Sequence, residues 1–138
     1  MGTDSALSVM RTMAAIADST LTKVTELTLT QFRALRVVVD HTPVAMTLVA
    51  RELGVNPSSV TRACDRLAGL DLLRRERNPR NRRETLLTPT TAGRRVVERV
   101  NHDRRTLLAG ILDRLEPAER AAVMSSFALF NTAASSPP

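Results

Sequence analysis

The chain has 138 residues, which suits about one domain, and its 20 Lys and Arg against 14 Asp and Glu give a formal net charge of +6. This basic balance favours a polyanionic partner. The sequence lacks an apolar run of about 18 residues and carries the acidic Asp4 near its amino end, so neither a transmembrane helix nor a secretory signal is expected.

The first predicted element is a helix from residue 1 to about residue 26, ahead of the compact core. Its apolar side chains recur at helical spacing and form one stripe: Leu7, Met10, Met13, Ala14, Ile16, Ala17, Leu21 and Val24. A single helix with so much apolar surface needs a partner, which is either the C-terminal helices or a second subunit. Met10 and Met13 would also suit a ligand-binding wall, although methionine in such a stripe usually serves packing.

Two shorter helices are predicted next. The first opens at Thr28 and ends near Thr42, because the residue before a proline disfavours helical angles. The second covers residues 46–53. Their inward-facing side chains are predicted to be Leu29, Phe32, Leu35, Val38 and Val39 in the first, and Met46, Val49, Ala50 and Leu53 in the second.

A tight turn at Gly54, Val55 and Asn56 separates that helix from the following one. Gly54 can adopt the left-handed conformation that ends a helix, and Val55 can pack back against its last turn. Asn56 is a favourable N-cap and Pro57 suits the first helical position, so a helix is predicted from Pro57 to about Leu70. Two helices joined by so short a turn cross steeply, as in a helix-turn-helix.

The helix after this turn sorts its side chains by face. Its apolar face holds Val60, Ala63, Cys64, Leu67 and Leu70. Its polar side chains are Ser58, Ser59, Thr61, Arg62, Asp65 and Arg66. Arginine pairs bidentately with guanine, and serine or threonine bonds phosphates or base edges. An ordinary solvated face is the alternative, and this helix alone does not distinguish the two interpretations.

A hairpin of two short strands, residues 72–77 and 84–88, is predicted after this helix. Its loop, residues 78–83, contains three arginines: Arg80, Arg82 and Arg83. Arginine at a hairpin tip suits a minor groove, where the negative potential is enhanced. The alternative is a solvated loop whose charges protect a sheet edge. Its position just after the helix pair favours nucleic acid.

Beyond the hairpin, Thr90 is the expected N-cap of a long helix that reaches about Leu115, in which Gly93 allows close packing. A last helix is predicted to start at Pro117, and residues 135–138 are expected to be a disordered tail. The apolar positions of the two helices are Val96, Val97, Val100, Leu107, Leu108, Ile111, Leu112, Leu115, Val123, Met124, Phe127 and Phe130.

Positive charge is concentrated in the middle of the chain. Residues 61–105 hold thirteen arginines against six acidic residues, an excess of seven, whereas the whole chain has a net charge of +6. The remainder is therefore close to neutral. Such localised positive charge is the electrostatic signature of a nucleic-acid partner.

Four segments together resemble the MarR family of winged-helix regulators. They are Thr61-Arg62-Ala63-Cys64-Asp65-Arg66-Leu67, the Gly69-Leu70 step, Pro79-Arg80-Asn81-Arg82-Arg83, and Thr90-Thr91-Ala92-Gly93. The similarity covers nearly the whole chain, and two positions depart from it. Asn81 stands where the family usually has Asp, so the usual ion pair that braces the wing cannot form in the same way. Pro89 stands where Leu is usual, which predicts an irregular end to the second strand.

The resemblance implies a mainly α fold with a small antiparallel β wing. Within a single domain, residues 1–138, it places a winged helix-turn-helix core at residues 28–90. N- and C-terminal dimerisation helices occupy residues 1–27 and 91–134. It also implies a homodimer that binds a pseudo-palindromic operator in double-stranded DNA, acts as a repressor more than as an activator, and is released by a small-molecule effector of unknown identity. Together with a single cysteine, which suits a reducing compartment, it places the protein on the nucleoid in a bacterial or archaeal cytoplasm.

The same resemblance assigns three groups of DNA-contacting residues. On the recognition helix they are Ser58, Ser59, Thr61, Arg62 and Arg66, with Arg62 the preferred candidate for base readout. At the wing they are Arg80, Arg82 and Arg83. Contacts to the DNA backbone are assigned to Arg74, Arg75 and Arg77.

Other functions have less support in the sequence. Nonspecific coating of DNA is the main alternative, because basic charge alone binds any duplex. An enzyme is not expected, since the sequence has neither a phosphate-cradling glycine loop nor a nucleophile with histidine and acid at motif spacing. Binding to single strands is not expected either, because the chain lacks Trp and Tyr and its three Phe fall in apolar stripes.

Cysteine and histidine offer weaker candidates for an effector site. Cys64 lies in the apolar stripe, where a free cysteine is usually an inert small hydrophobe. His41 and His102 suggest zinc only weakly, since no close-spaced pair of ligands accompanies them. We therefore predict no metal site and no cofactor.

Overall fold

Six helices and three strands make up the structure, a computed structural model that describes residues 2–138. In chain order they are α1 (Gly2–Val24), α2 (Leu29–His41), β1 (Val44–Ala45), α3 (Met46–Leu53), α4 (Pro57–Gly69), β2 (Leu73–Asn78), β3 (Asn81–Pro89), α5 (Thr91–Leu112) and α6 (Pro117–Ser135). The mainly α class with a small antiparallel sheet is confirmed. Met1, the expected first residue of α1, lies outside the described residues.

The sheet has three antiparallel strands in the order β1-β3-β2, one more than the sequence predicts. The extra strand is only Val44–Ala45, which pairs with Leu87 and Leu86 and is too short to show an alternating pattern. Pro89 stays in register opposite Leu73. The expected irregularity at that end of the hairpin is therefore wrong, and the register shifts at the tip instead, between Arg77 and Asn78.

The hydrophobic core gathers around α2, which contacts α3, α4 and β3. Thr28 begins α2 with a capping box, because its side chain accepts from the Gln31 N–H and the Gln31 side chain accepts from the Thr28 N–H. The largest fully buried side chains are Phe32, Leu35, Leu67, Leu73, Leu87, Val38, Val49, Val60, Val100, Thr20 and Cys64.

Two leucines predicted to face inward are exposed instead. Leu29 is 44% exposed as the first residue of α2, and Leu70 is 42% exposed just beyond the end of α4. The chain leaves helical geometry there, because Leu70 has φ −88° and ψ 3° and Asp71 has φ 59°. Helical spacing therefore does not extend to Leu70.

Contacts divide the chain into two compact units, one up to Asp103 and the other Arg104–Pro138. In the second unit, α5 ends at Leu112, earlier than expected, and Arg120 Nε donates to the Leu112 carbonyl at 3.2 Å. Among the described residues of α6 none is buried. Its most exposed apolar side chains are Met124, Leu129 and Phe130, with Leu129 at 73% and Phe130 at 71%.

Candidate nucleic-acid interface

The turn between α3 and α4 fixes the amino end of α4. Gly54 has φ 62° and ψ 29°, and its N–H donates to the carbonyls of Ala50 at 3.0 Å and Arg51 at 3.3 Å. Asn56 Oδ1 accepts from the Ser59 N–H at 2.9 Å and from the Ser58 hydroxyl at 2.6 Å. Both predicted caps, the left-handed glycine and the asparagine N-cap, are confirmed.

Helix α4 presents its polar side chains outward. Val60, Cys64 and Leu67 are fully buried on its inner face. Ser58, Thr61, Arg62 and Arg66 are exposed, and Ser59 is half-buried. Because residues four apart lie on the same side of a helix, Arg62 and Arg66 share one surface. The five predicted recognition residues are thus available to a partner on this helix, while their contacts with DNA remain predictions.

The wing differs from its predicted form, because its strands extend into the predicted loop. Asn78 pairs with Asn81, so a two-residue turn of Pro79 and Arg80 closes the hairpin. Arg82 and Arg83 therefore lie within β3 rather than in a loop. All three wing arginines, Arg80 included, are exposed.

A groove of about 250 Å³ brings the recognition helix and the wing together. Thr61 of α4 and Arg83 of β3 both line it. The Thr61 hydroxyl lies 3.0 Å from the Pro57 carbonyl and 3.7 Å from Met46 Sδ. The remaining lining residues are Met46, Thr47, Ala50, Pro57, Glu84 and Thr85.

The three arginines of β2 do not share one surface. Alternate residues of a strand point to opposite faces, so Arg75 and Arg77 lie on one face and Arg74 on the other. Arg75 forms an ion pair with Asp65 of α4, joining the wing strand to the recognition helix. The predicted backbone contacts of these arginines remain predictions.

Comparison with known proteins decides what this arrangement is. A sequence model of the MarR family matches residues 25–84. The crystal structure of RV1404 from Mycobacterium tuberculosis is 36% identical, with 99% of this chain and 93% of that chain covered and a TM-score of 0.88. The chain belongs to the MarR family.

The chain is also similar to a curated regulator and, in fold alone, to a further solved structure. YwhA of Bacillus subtilis (strain 168), an uncharacterized HTH-type transcriptional regulator, is 27% identical over 94 residues, 68% of each protein. The F27L mutant of S. aureus MepR, bound to an oligodeoxyribonucleotide, shares the fold with a TM-score of 0.72 at 16% identity, covering 96% of this chain and 97% of that one. This member of the MarR family is a DNA-binding transcriptional regulator with a winged helix.

Cys64 of this MarR-family regulator is fully buried in the core. Burial raises the pKa of its thiol from the ordinary 9.0 to about 11, while the nearby Arg75 lowers it and Asp65 raises it. The thiol is therefore protonated at neutral pH, and only the thiolate is a strong nucleophile. Burial and protonation both favour the packing interpretation of Cys64 over the redox one.

Two side-chain interactions in this MarR-family fold cannot be recognised from the sequence alone. The Asp65–Arg75 ion pair and the hydrogen bond from Asn78 to Glu84 join segments whose proximity depends on the folded hairpin. Opposite charges on either side of the α4–β2 connection are the only sequence signal for the first pair. In the part of the chain that the structure describes, no group of three His, Cys, Asp or Glu could hold a metal ion, and no helix is long and apolar enough to cross a membrane.

Proposed function

We propose that this MarR-family regulator is a homodimer that reads a pseudo-palindromic operator in double-stranded DNA and acts as a repressor, without catalysis, on the nucleoid. One observation carries the proposal: Thr61 on the exposed polar face of α4 and the wing arginine Arg83 border a single groove. A surface built this way can meet a major groove and the adjacent minor groove of one duplex.

The residues of this surface would divide the work of recognition. Arg62 would read base edges in the major groove, where a guanidinium binds guanine bidentately. Ser58 at the amino end of α4 would bind phosphate by exchanging the bond of its hydroxyl to Asn56 Oδ1 for one to a phosphate oxygen, and the positive end of the helix dipole favours the anion there. Arg82 and Arg83 would enter the minor groove, where negative potential is highest when the groove is narrow.

Exposed apolar side chains support the homodimer. Leu107 and Ile111 of α5 are 42% and 39% exposed, and Leu129 and Phe130 of α6 are still more exposed. Exposed apolar patches of this kind mark interaction surfaces. A twofold dimer would place two α4 helices about 34–36 Å apart in successive major grooves, which selects a pseudo-palindrome.

Release by a small molecule is also part of the proposal, supported by membership in the MarR family. Such an effector must bind one arrangement of the dimer more tightly than the other, because equal affinity shifts no equilibrium. A screen for compounds that weaken operator binding, with thermal unfolding as the readout of direct binding, tests this part separately. An effector should change both readouts.

The main test is selection from a pool of random duplexes at physiological salt, followed by sequencing of the retained DNA. A recovered pseudo-palindrome with half-sites about one helical turn apart is the expected result. Equal retention of all sequences, with binding that disappears as salt rises, would instead identify a nonspecific coating protein. Sedimentation equilibrium of the free protein tests the dimer independently, since a monomer at micromolar concentration would contradict it.

A further inference from the structure

The wing tip changes register at the point where its arginines lie. Arg77 pairs with Thr85 and the next residue, Asn78, pairs with Asn81, so β2 advances by one residue while residues 82–84 of β3 span the same step. A bulge bends its strand and redirects the side chains that it carries. Two of the three wing arginines lie within this bulge and are not positioned by a regular ladder.

Side-chain hydrogen bonds hold this bulge. Asn78 uses both ends of its amide, since Nδ2 donates to Glu84 Oε1 at 2.9 Å and Oδ1 accepts from the Arg80 N–H at 3.0 Å. Asn81 Oδ1 accepts from the Arg83 N–H at 3.2 Å. Asn78 and Glu84 are both half-buried. The Asn78–Glu84 bond thus joins the end of β2 to the far side of the bulge.

The hydrogen bond between Asn78 and Glu84 lies beside the proposed DNA-binding groove. Glu84 lines the groove that also contains Thr61 of the recognition helix and Arg83 of the wing. A carboxylate facing a polyanion opposes its binding, so its own charge would weaken the interaction with DNA. Its hydrogen bond to Asn78 supplies a compensating role, because it fixes the wing segment on which the arginines lie.

We propose that Glu84, through its hydrogen bond with Asn78, is a positioning residue that directs Arg82 and Arg83 toward the DNA. The inference rests on the proposed operator-binding function and adds to it. It predicts that the acceptor oxygen of Glu84 favours binding and that its negative charge does not.

A charge-matched pair of variants separates these two properties. Glu84→Gln and Glu84→Ala both remove the charge, but only glutamine keeps the acceptor for Asn78. Affinity is measured by fluorescence anisotropy on a labelled duplex of about 30 base pairs taken from the selection above, enough for two half-sites. Glu84→Gln should bind at least as tightly as the wild type, and Glu84→Ala about 5-fold more weakly than Glu84→Gln, the value of one ordinary hydrogen bond.

Exchanging the hydrogen-bond donor at residue 78 with the acceptor at residue 84 tests whether the bond itself restores the affinity for DNA. Asn78→Asp alone keeps the acceptor for the Arg80 N–H, loses the donor to Glu84 and should weaken binding. Asn78→Asp combined with Glu84→Gln restores a donor and an acceptor and has the net charge of the wild type, so its affinity should return to within about 2-fold. Circular dichroism of each variant verifies that it is folded.

The background Arg82→Ala/Arg83→Ala distinguishes a positioning role of Glu84 from a merely structural one. If Glu84 acts through these arginines, Glu84→Gln and Glu84→Ala should there differ by less than about 2-fold. Equal affinity of the two variants in the wild-type background, or a difference that persists without the arginines, would overturn the positioning role. A wild-type protein that shows no sequence preference would refute the proposed function itself, and this result is recorded before any variant is compared.

Discussion

Replacing Gly93 with alanine tests the contact between α5 and the chain that leaves α4. A Cβ at residue 93 would lie 2.0 Å from the backbone oxygen of Leu72 and 3.2 Å from Leu35 Cδ1. Real Cβ atoms essentially never approach closer than 3.0 Å, so the two segments would have to separate by about 1 Å in a close-packed interior. The obstacle is backbone, which cannot rotate away as a side chain would.

Three hydrogen bonds at this contact would be strained by the separation. The Leu72 carbonyl accepts from the Thr90 N–H at 3.1 Å. The Thr90 hydroxyl donates to the Asp71 carbonyl at 2.7 Å and accepts from the Gly93 N–H at 3.0 Å. Overpacking costs about 1–3 kcal/mol and a weakened hydrogen bond about 1 kcal/mol, against roughly 1 kcal/mol gained from the helix propensity of alanine. With one of these bonds weakened, we expect Gly93→Ala to lower the free energy of unfolding by about 1–3 kcal/mol.

Urea unfolding followed by circular dichroism, at one fixed protein concentration, measures this loss. Gly69→Ala is the matched control, because Gly69 is also helical and a Cβ there meets nothing within 4 Å. The control should be unchanged or more stable by up to about 1 kcal/mol. A Gly93→Ala protein as stable as the wild type, or two variants destabilised alike, would refute the argument from close approach.

Three further predictions address recognition, pH dependence and helix capping. Arg62→Ala should relax sequence preference, whereas Arg74→Ala should weaken binding to all duplexes and reduce the salt slope by about 1. Equal effects of both on every duplex would contradict that division. Burial raises the pKa of the Cys64 thiol to about 11. The protonated thiol therefore contributes fully to the stability of the folded protein below pH 9, and this contribution is lost as pH rises toward 11. Cys64→Ala should flatten this alkaline decline, and an unchanged slope would disprove it; the chain has no tyrosine and one lysine to obscure the measurement. Asn56→Ala should cost about 1 kcal/mol of unfolding free energy because it removes the acceptor for the Ser59 N–H, and unaltered urea unfolding would count against the cap.

Local chemistry made much of this fold predictable from the sequence. Gly54, Asn56 and Thr28 determine where helices begin or end through bonds to residues within four positions, so their roles are readable without a structure. Apolar periodicity identified the inner face of α4 up to Leu67 for the same reason. The sequence also predicts close packing at Gly93, but it does not identify the Leu72 backbone as the group that packs against it.

Interactions between distant segments could not be predicted in this way. The strand Val44–Ala45 exists only because β3 is present to pair with it, and two residues show no periodicity. The same applies to the Asp65–Arg75 ion pair, which requires α4 and β2 to be folded against each other. The length of the wing turn is set by the pairing of Asn78 with Asn81. The turn-forming residues of this segment predict a longer loop and do not reveal that pairing.

Thr90 has a consequence for motion as well as for stability. Its amide and hydroxyl bind the start of α5 to two carbonyls of the segment that follows α4, those of Asp71 and Leu72. A hinge requires a few residues free to absorb a change in backbone angles, and neither Thr90 nor the closely packed Gly93 has that freedom. The junction between α4 and α5 is therefore rigid. A rotation of the first turns of α5 would move the end of the recognition helix with it.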